Sequence, residues 1–298
     1  MGNHLKLIEF KSTDNIVLPG LLYEPIKPTE KIAIYLHGNG SASVFYSVKE
    51  MNLLADYLTK NGIAFFPFNN RGAHYIHKLH RRDEDVKMGT AYEIIKDCIY
   101  DIDGAVNFLL KQGYKTFYLI GSSTGANKIV VYHHHRPKNK IAKYVLLSGG
   151  DDTGLSYQMM GGKKFYLALK KCKQEIKKGN RRLLVPASIS DYLYSYQSLY
   201  DTINPDGDYN VFPFNEYMNK LKLSKKELFR EFKAINKPTL VVYGEFDEYC
   251  YGNARKCVEV LKKECPDKKL FTFKIIKGAD HGFSGKEDEL AKYIAAWL

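Results

Sequence analysis

The chain has 298 residues, of which 45% are hydrophobic, and it carries a formal net charge of +12. A chain of this length and apolar fraction can bury a large core as one α/β domain. It has no run of about 18 apolar residues, no signal-peptide layout in the first ten residues and no C-x-x-C pair among its five cysteines. These features argue against a membrane-spanning, disulfide-rich or zinc-centred protein. We expect a cytoplasmic protein that needs no metal or cofactor.

Lysine supplies most of the positive charge, with 37 of the 45 basic residues. Nucleic-acid recognition usually favours the planar guanidinium of arginine, and the sequence contains no nucleic-acid-binding motif. The net charge therefore does not predict a nucleic-acid partner. Nucleic-acid binding through a basic surface stays an alternative, and it would depend strongly on salt.

Apolar runs predict an alternation of strands and helices along the chain. In chain order, strands are expected over residues 5–10, 16–23, 32–36, 63–68, 117–120, 141–147, 239–243 and 270–276. Helical patterns cover residues 44–60, 90–112, 124–135, 252–264 and 286–298. The first two strands should form an antiparallel pair. The alternation that follows predicts an α/β fold with a mainly parallel, eight-stranded sheet and helices on both faces.

The alternation is interrupted at residues 149–232, which we call the inserted segment. This segment is rich in tyrosine, and one helical pattern within it has four apolar residues on a single face: Phe165, Leu169, Cys172 and Ile176. The expected organisation is a core made of residues 1–148 and 233–298, with the inserted segment as a cap or lid.

Basic residues crowd one part of the inserted segment. Nine lysines and arginines between residues 163 and 182 surround a single acidic residue, Glu175. If this helix lies at the mouth of a cleft, it would attract anionic substrates. A solvated outer face is the alternative interpretation, and charge runs usually have that role.

The most informative motif is G-S-S-T-G at residues 121–125. An apolar run leads into it and a helical pattern follows, so it marks a strand-to-helix turn. The two glycines permit a turn so tight that the serine between them, Ser123, projects toward a substrate. Ser123 is therefore the candidate nucleophile.

Two candidate partners of this serine follow later in the chain, each just after a predicted strand. Asp247 ends the sequence G-E-F-D, and His281 lies in G-A-D-H-G. A serine hydroxyl is a poor nucleophile at neutral pH, so it needs a base such as His281 to take its proton. Asp247 would fix the imidazole tautomer and stabilise the imidazolium.

The order serine, acid, histidine resembles that of serine-type α/β-hydrolases. H-G-N-G at residues 37–40 is similar to the H-G-x-G loop of that superfamily, and F-N-N-R-G at residues 68–72 is similar to its D-x-R-G loop. The turn at residues 121–125, called the nucleophile elbow in this superfamily, is most similar to that of a poorly characterised esterase-like group. In that group the turn reads G-H-S-T-G. This chain departs from that pattern, since Ser122 replaces the histidine.

The resemblance implies an α/β-hydrolase fold and an oxyanion hole made by the backbone N–H groups of Asn39 and Thr124. It also implies that His37 orders the oxyanion loop and is not a base. The expected activity is cleavage of a carboxylic ester through an acyl-enzyme, on a small-molecule substrate that is anionic or aromatic. Amide cleavage, acyl transfer and ligand binding without turnover are the alternatives.

Several other polar residues have competing interpretations. Asp151 and Asp152 also follow a strand, at a position from which some hydrolases project their acid, so they are alternatives to Asp247. Arg71 is expected either to bind a substrate carboxylate or to hold its own loop.

Asp280 is expected to cap its turn. The consecutive histidines at residues 133–135 are expected to be surface residues near a helix C-terminus. They cannot share one metal ion, because consecutive helix positions point in different directions.

Overall fold

The computed structural model describes residues 4–40 and 42–298. Its first half contains β1 (His4–Lys11), β2 (Val17–Glu24), β3 (Lys31–Leu36), α1 (Val48–Lys60), β4 (Ala64–Phe68), β5 (His77–Arg81), β6 (Glu84–Met88), α2 (Cys98–Lys111), β7 (Thr116–Ser122), α3 (Thr124–His135) and β8 (Ile141–Leu147). Its second half contains α4 (Asp152–Met160), α5 (Gly162–Lys177), α6 (Tyr196–Ile203), α7 (Phe214–Asn219), α8 (Arg230–Lys233), β9 (Thr239–Gly244), α9 (Ala254–Glu264), β10 (Phe271–Ile276) and α10 (Glu287–Trp297).

Eight strands form one sheet in the order β1-β2-β4-β3-β7-β8-β9-β10. Strand β2 pairs antiparallel with both β1 and β4, and the remaining pairs are parallel. This confirms the predicted mainly parallel sheet. The carboxyl ends of β3, β7, β9 and β10 lie at one edge, so the loops that follow these strands converge there.

Helices cover both faces of the sheet because its strands alternate their side chains between two apolar clusters. In β7, Phe117 and Leu119 belong to a cluster that also contains residues of α2, α3 and α9. Tyr118 and Ile120 belong to a second cluster with residues of α1 and α10. The strand that carries the candidate serine is thus fixed from both sides.

Helix α2 begins at Cys98, after a short 3-10 turn, and not at residue 90 as the sequence pattern predicted. The backbone before it makes contacts with the inserted segment instead. The Ser195 N–H donates to the Ala91 carbonyl at 2.6 Å. Such long-range hydrogen bonds replace the i to i−4 bonds of a helix, and a local pattern does not reveal them.

Two further differences concern local structure. The sequence patterns did not predict the small hairpin β5–β6, and they started α1 at residue 44 although it begins at Val48. Both are short stretches next to loops, where periodicity is a weak signal.

The inserted segment packs in two parts. Phe165, Cys172, Leu199 and Ile203 belong to a small apolar cluster that is separate from the two sheet clusters. The predicted apolar face of α5 lies in this cluster, with Leu169 and Ile176 packed against it. Phenylalanines nearer the end of the segment belong instead to the larger sheet cluster: Phe212, Phe214, Phe229 and Phe232.

None of the helices within residues 4–40 and 42–298 has the length and apolarity needed to span a bilayer.

Candidate active site

Ser123 lies on a sharp turn between β7 and α3. Its backbone has φ 55° and ψ −125°, a conformation that costs energy for a non-glycine residue. A Cβ on Gly121 would lie 2.3 Å from the Gly125 carbonyl oxygen, and a Cβ on Gly125 would lie 2.1 Å from the Leu36 carbonyl oxygen. Only glycine fits at either position, so the tight turn expected from the sequence is present.

The three residues nominated from the sequence meet at this turn. Ser123 Oγ lies 3.0 Å from His281 Nε2, and His281 Nδ1 lies 2.9 Å from Asp247 Oδ1. A carboxylate only accepts hydrogen bonds, so we assign the proton of the neutral imidazole to Nδ1. Nε2 is then left to accept the serine proton.

The loops after β9 and β10 hold the imidazole in place. Asp247 is buried, and the Glu248 carboxylate accepts from the His281 N–H at 3.1 Å. The Tyr249 ring packs edge-on against the imidazole, with 4.6 Å between ring centroids. The ring orientation is therefore fixed by three consecutive residues of one loop.

Burial by itself lowers the pKa of His281, but the hydrogen bond and charge of Asp247, with the charges of Glu248 and Asp152, outweigh it. The net result is a pKa raised above the usual 6.5. The raised pKa strengthens the imidazole as a proton acceptor.

The two residues predicted to supply oxyanion-hole N–H groups lie near the serine. Asn39 and Thr124 both line the cavity that contains Ser123, and neither N–H has an acceptor among the described residues. Thr124 is the first residue of α3, where the helix dipole favours negative charge. These donors are suited to bind a developing oxyanion.

His37 holds the loop that carries Asn39. Its Nδ1 donates to the Gly38 carbonyl at 2.7 Å, and its Nε2 accepts from the Asn70 N–H at 3.2 Å. Burial lowers the pKa of His37 to about 3, so the ring is neutral at ordinary pH. This arrangement agrees with the expected loop-ordering role.

Tyr209 is a residue of the site that the sequence did not single out. It is buried, the Asn39 side-chain Nδ2 donates to its hydroxyl, and that hydroxyl also lies near the Thr124 side chain. The tyrosine richness of the inserted segment was the only available signal, and it did not distinguish one tyrosine from another.

A cavity of about 1140 Å³ opens above the serine. Most of its wall comes from the inserted segment between Leu155 and Thr202, and four tyrosines line it: Tyr75, Tyr192, Tyr194 and Tyr249. Asp152 also lines the cavity, and burial raises the pKa of its carboxyl to about 6.

Asp151, the other alternative acid, is buried, and its carboxylate accepts hydrogen bonds from groups other than His281. Its carboxylate accepts from the Gly154 N–H, the Asn215 N–H and the Tyr251 hydroxyl at distances of 2.7–2.9 Å. His281 Nδ1 therefore donates to Asp247 and not to Asp151.

Arg71 is buried and pairs with Asp101 at 2.7 Å and with Asp14 at 2.8 Å. These ion pairs occupy its guanidinium and favour the loop-holding alternative over contact with a substrate. Asp280 accepts from the Ser284 N–H at 2.8 Å, as expected for a turn cap.

The prediction that the histidines at 133–135 are surface residues is wrong for His133. Its side chain is buried, and its ring nitrogens each lie 3.0 Å from a partner, the Tyr144 hydroxyl and the Ala234 carbonyl. Helix α3 packs against the sheet at this turn, so the side chain points inward. Within the described residues, no group of three or more histidine, cysteine or acidic side chains could hold a metal ion.

The fold and the site define this protein as an α/β-hydrolase, which confirms the resemblance found in the sequence. The chain belongs to the hydrolase family described as serine aminopeptidase, S33, which matches residues 27–288. No curated protein matches the chain in sequence.

Solved structures with this fold include several esterases and a lipase. Est1E from Butyrivibrio proteoclasticus, with bound ferulic acid, is 14% identical over 97% of this chain and 96% of its own, with a TM-score of 0.64. An esterase from Pyrococcus furiosus is 17% identical over 99% and 92%, with a TM-score of 0.58. A soluble variant of monoglyceride lipase from Saccharomyces cerevisiae, in complex with a substrate analog, is 14% identical over 97% and 93%, with a TM-score of 0.62. At these identities the similarity establishes the fold.

Proposed function

We propose that this protein is a serine hydrolase that cleaves a carboxylic ester through an acyl-enzyme. The observation that carries the proposal is the chain of two hydrogen bonds, 3.0 Å from Ser123 to His281 and 2.9 Å from His281 to Asp247. The esterases and the lipase among the solved structures support the ester as the substrate class.

In this mechanism Ser123 Oγ attacks the ester carbonyl carbon while its proton passes to His281 Nε2. The tetrahedral intermediate collapses, and the alcohol leaves with that proton. A water molecule then attacks the acyl-enzyme, with His281 again acting as base, and the acid is released. Asp247 stays ionised and stabilises the imidazolium in both halves of the reaction.

The negative charge of the tetrahedral intermediate would lie on the carbonyl oxygen. In the proposal, the N–H groups of Asn39 and Thr124 donate to this oxygen, and one such donor is typically worth about 3 kcal/mol of transition-state stabilisation. Because both donors are backbone groups, replacement of either side chain should harm catalysis less than replacement of Ser123 or His281.

We also propose that residues 149–232 act as a cap over a core of residues 1–148 and 233–298. The part of this segment up to about residue 204 walls the cavity and has an apolar cluster of its own, which supports the division. The aromatic walls of the cavity favour a substrate with an aromatic or apolar acyl or alcohol part.

The cytoplasm is the proposed location. All five cysteines are free thiols, although Cys250 and Cys257 lie close enough for their side chains to interact. Unpaired neighbouring cysteines are typical of a reducing compartment.

The proposal is tested by labelling with a fluorophosphonate probe and by hydrolysis of p-nitrophenyl esters of increasing acyl length. Ser123→Ala should abolish both labelling and turnover. Ser122→Ala is the matched control, since that adjacent serine bonds the Tyr35 hydroxyl and should be dispensable. Full labelling of Ser123→Ala would refute the assignment of the nucleophile.

A second candidate is cleavage of an amide next to a free amino group. The family description names an aminopeptidase, and the Asp152 carboxylate in the cavity could bind an ammonium group. Hydrolysis of aminoacyl p-nitroanilides that is lost when their amino group is acetylated would favour this candidate over an esterase.

A further inference from the structure

Helix α5 turns one face toward the cavity. The cavity-lining residues of this helix include five at helical spacing: Lys164, Leu167, Ala168, Lys171 and Gln174. Lys170 lines the cavity as well. Part of the basic cluster predicted from the sequence therefore lines the cavity.

The charges of these lysines are not all neutralised. Lys171 pairs with Glu175 at 3.0 Å. Lys164 and Lys170 have no acidic group within 4 Å among the residues that the structure describes. Both side chains are exposed although they line the cavity, so they lie where it opens to solvent. Asp191 also lines the cavity, but its carboxylate forms no ion pair with Lys164 or Lys170.

Another part of the cavity wall carries negative charge. Asp152 lines the cavity near His281, and its carboxylate accepts a hydrogen bond from Asn127 Nδ2 at 3.4 Å. Several of the remaining lining residues are apolar: Leu155, Met159, Met160, Leu167, Ile189, Leu193 and Leu199. The cavity thus has a basic mouth, apolar walls and an acidic group beside the serine.

We propose that the substrate is an ester with an anionic group, in the simplest case a carboxylate, at the end remote from the scissile bond, and that Lys164 and Lys170 bind this group. An apolar segment of the substrate would lie between the two ends. This inference rests on the proposed esterase function and names its substrate class.

The charge distribution also sets the direction in which the substrate enters. Unpaired lysines at the mouth attract the anion and raise its local concentration. The carboxylate of Asp152 repels an anion that approaches the serine first. Both effects place the ester carbonyl at Ser123 and the anion at the mouth.

The test compares p-nitrophenyl monoesters of dicarboxylic acids of increasing length with the same compounds capped as methyl esters at the remote carboxylate. The charged ester should have the higher kcat/KM at one matching chain length, mainly through a lower KM, and added salt should reduce the difference. Equal kcat/KM for charged and capped esters at every length would overturn the inference.

Charge-reversal variants locate the binding group. In the double variant Lys164→Glu/Lys170→Glu, the ratio of charged to capped kcat/KM should fall about tenfold or more, as expected for loss of two attractive charges and gain of two repulsive ones. Lys163→Glu/Lys173→Glu is the matched control with the same change in net charge, because both lysines are exposed on the same helix but do not line the cavity. The control should keep the ratio of the unsubstituted protein.

An equal fall of the ratio in Lys163→Glu/Lys173→Glu would also overturn the inference, since it would reflect net charge alone. Fluorophosphonate labelling separates this result from failure of the proposed function. Absence of labelling in the unsubstituted protein would overturn the esterase proposal and this inference together. Labelling and turnover without any preference for the anion would overturn this inference alone.

Discussion

The hydroxyl of Tyr209 lies against the side-chain amide of Asn39, and so links the inserted segment to the loop that follows β3. It also lies near the side chain of Thr124, so one buried side chain is close to both residues whose N–H groups are proposed to bind the oxyanion. Such contacts position the two donors before a substrate arrives.

Tyr209→Phe removes this hydroxyl and keeps the ring. Loss of one positioning hydrogen bond of about 1 kcal/mol should lower kcat for a p-nitrophenyl ester about fivefold to tenfold and change KM little. Tyr196→Phe is the control, because Tyr196 is a buried tyrosine of the same segment that does not contact Asn39 or Thr124. A change in KM without a change in kcat would contradict the positioning role.

The identity of the acid is tested by two isosteric substitutions. Asp247→Asn should lower kcat by about 10³-fold to 10⁴-fold, because the amide stabilises the wrong imidazole tautomer. Asp151→Asn should leave kcat within a few fold, although the loss of its buried hydrogen bonds lowers the free energy of unfolding. Steady-state kinetics with thermal unfolding of both variants distinguishes the two effects, and the reverse order of kcat losses would reassign the acid.

The pH dependence of activity should report the environment of His281. The imidazole is the base only when neutral, so kcat/KM rises with pH through the pKa of His281, which is raised above its usual value. Asp152→Asn removes a negative charge that favours the imidazolium, so the acidic limb of the profile should move to lower pH. Asp191→Asn, a cavity-lining acid that does not contribute to this shift, should leave the limb in place. An unmoved limb in both variants would contradict the assignment of the limb to His281.

A buried ion pair that includes a lysine of α3 should contribute strongly to the free energy of unfolding. Lys128 Nζ lies 2.6 Å from Glu93 Oε1 and donates to Asn70 Oδ1 at 2.9 Å, and both charged side chains are buried. Lys128→Met leaves an unpaired buried carboxylate and should lower the free energy of unfolding by about 3–5 kcal/mol in urea titrations.

The second substitution Glu93→Leu, added to Lys128→Met, should restore part of that loss because neither charge of this pair remains. Lys115→Met serves as the surface control. Its ion pair with Glu30 is exposed, so the free energy of unfolding should change by about 1 kcal/mol or less. A loss in Lys128→Met as small as in this control would show that the buried pair is not needed for stability.

Much of the fold was predictable from the sequence because its signals are local. The strand 141–147 and the helix 124–135 were predicted at their observed bounds, since each has a continuous apolar pattern and clear flanking residues. The start of α2 was not predictable, because hydrogen bonds to the inserted segment replace its first helical turns.

The candidate nucleophile, base and acid could also be nominated from the sequence. Ser123 lies between glycines that only a tight turn requires, and Asp247 and His281 each follow an apolar strand. Parallel strands end at the same edge of a sheet, so local position along the chain was enough to predict that the three side chains meet.

The tertiary structure alone decided which of several similar residues lie at the candidate site. It placed Tyr209, among many tyrosines, against Asn39, and it turned Lys164 and Lys170 toward the cavity while Lys173 stays outside it. The sequence by itself determined the class of fold and the order of the candidate residues, because strand ends and glycine turns are encoded in neighbouring residues. Contacts between the inserted segment and the core depend on how distant elements pack, and no local pattern contains that information.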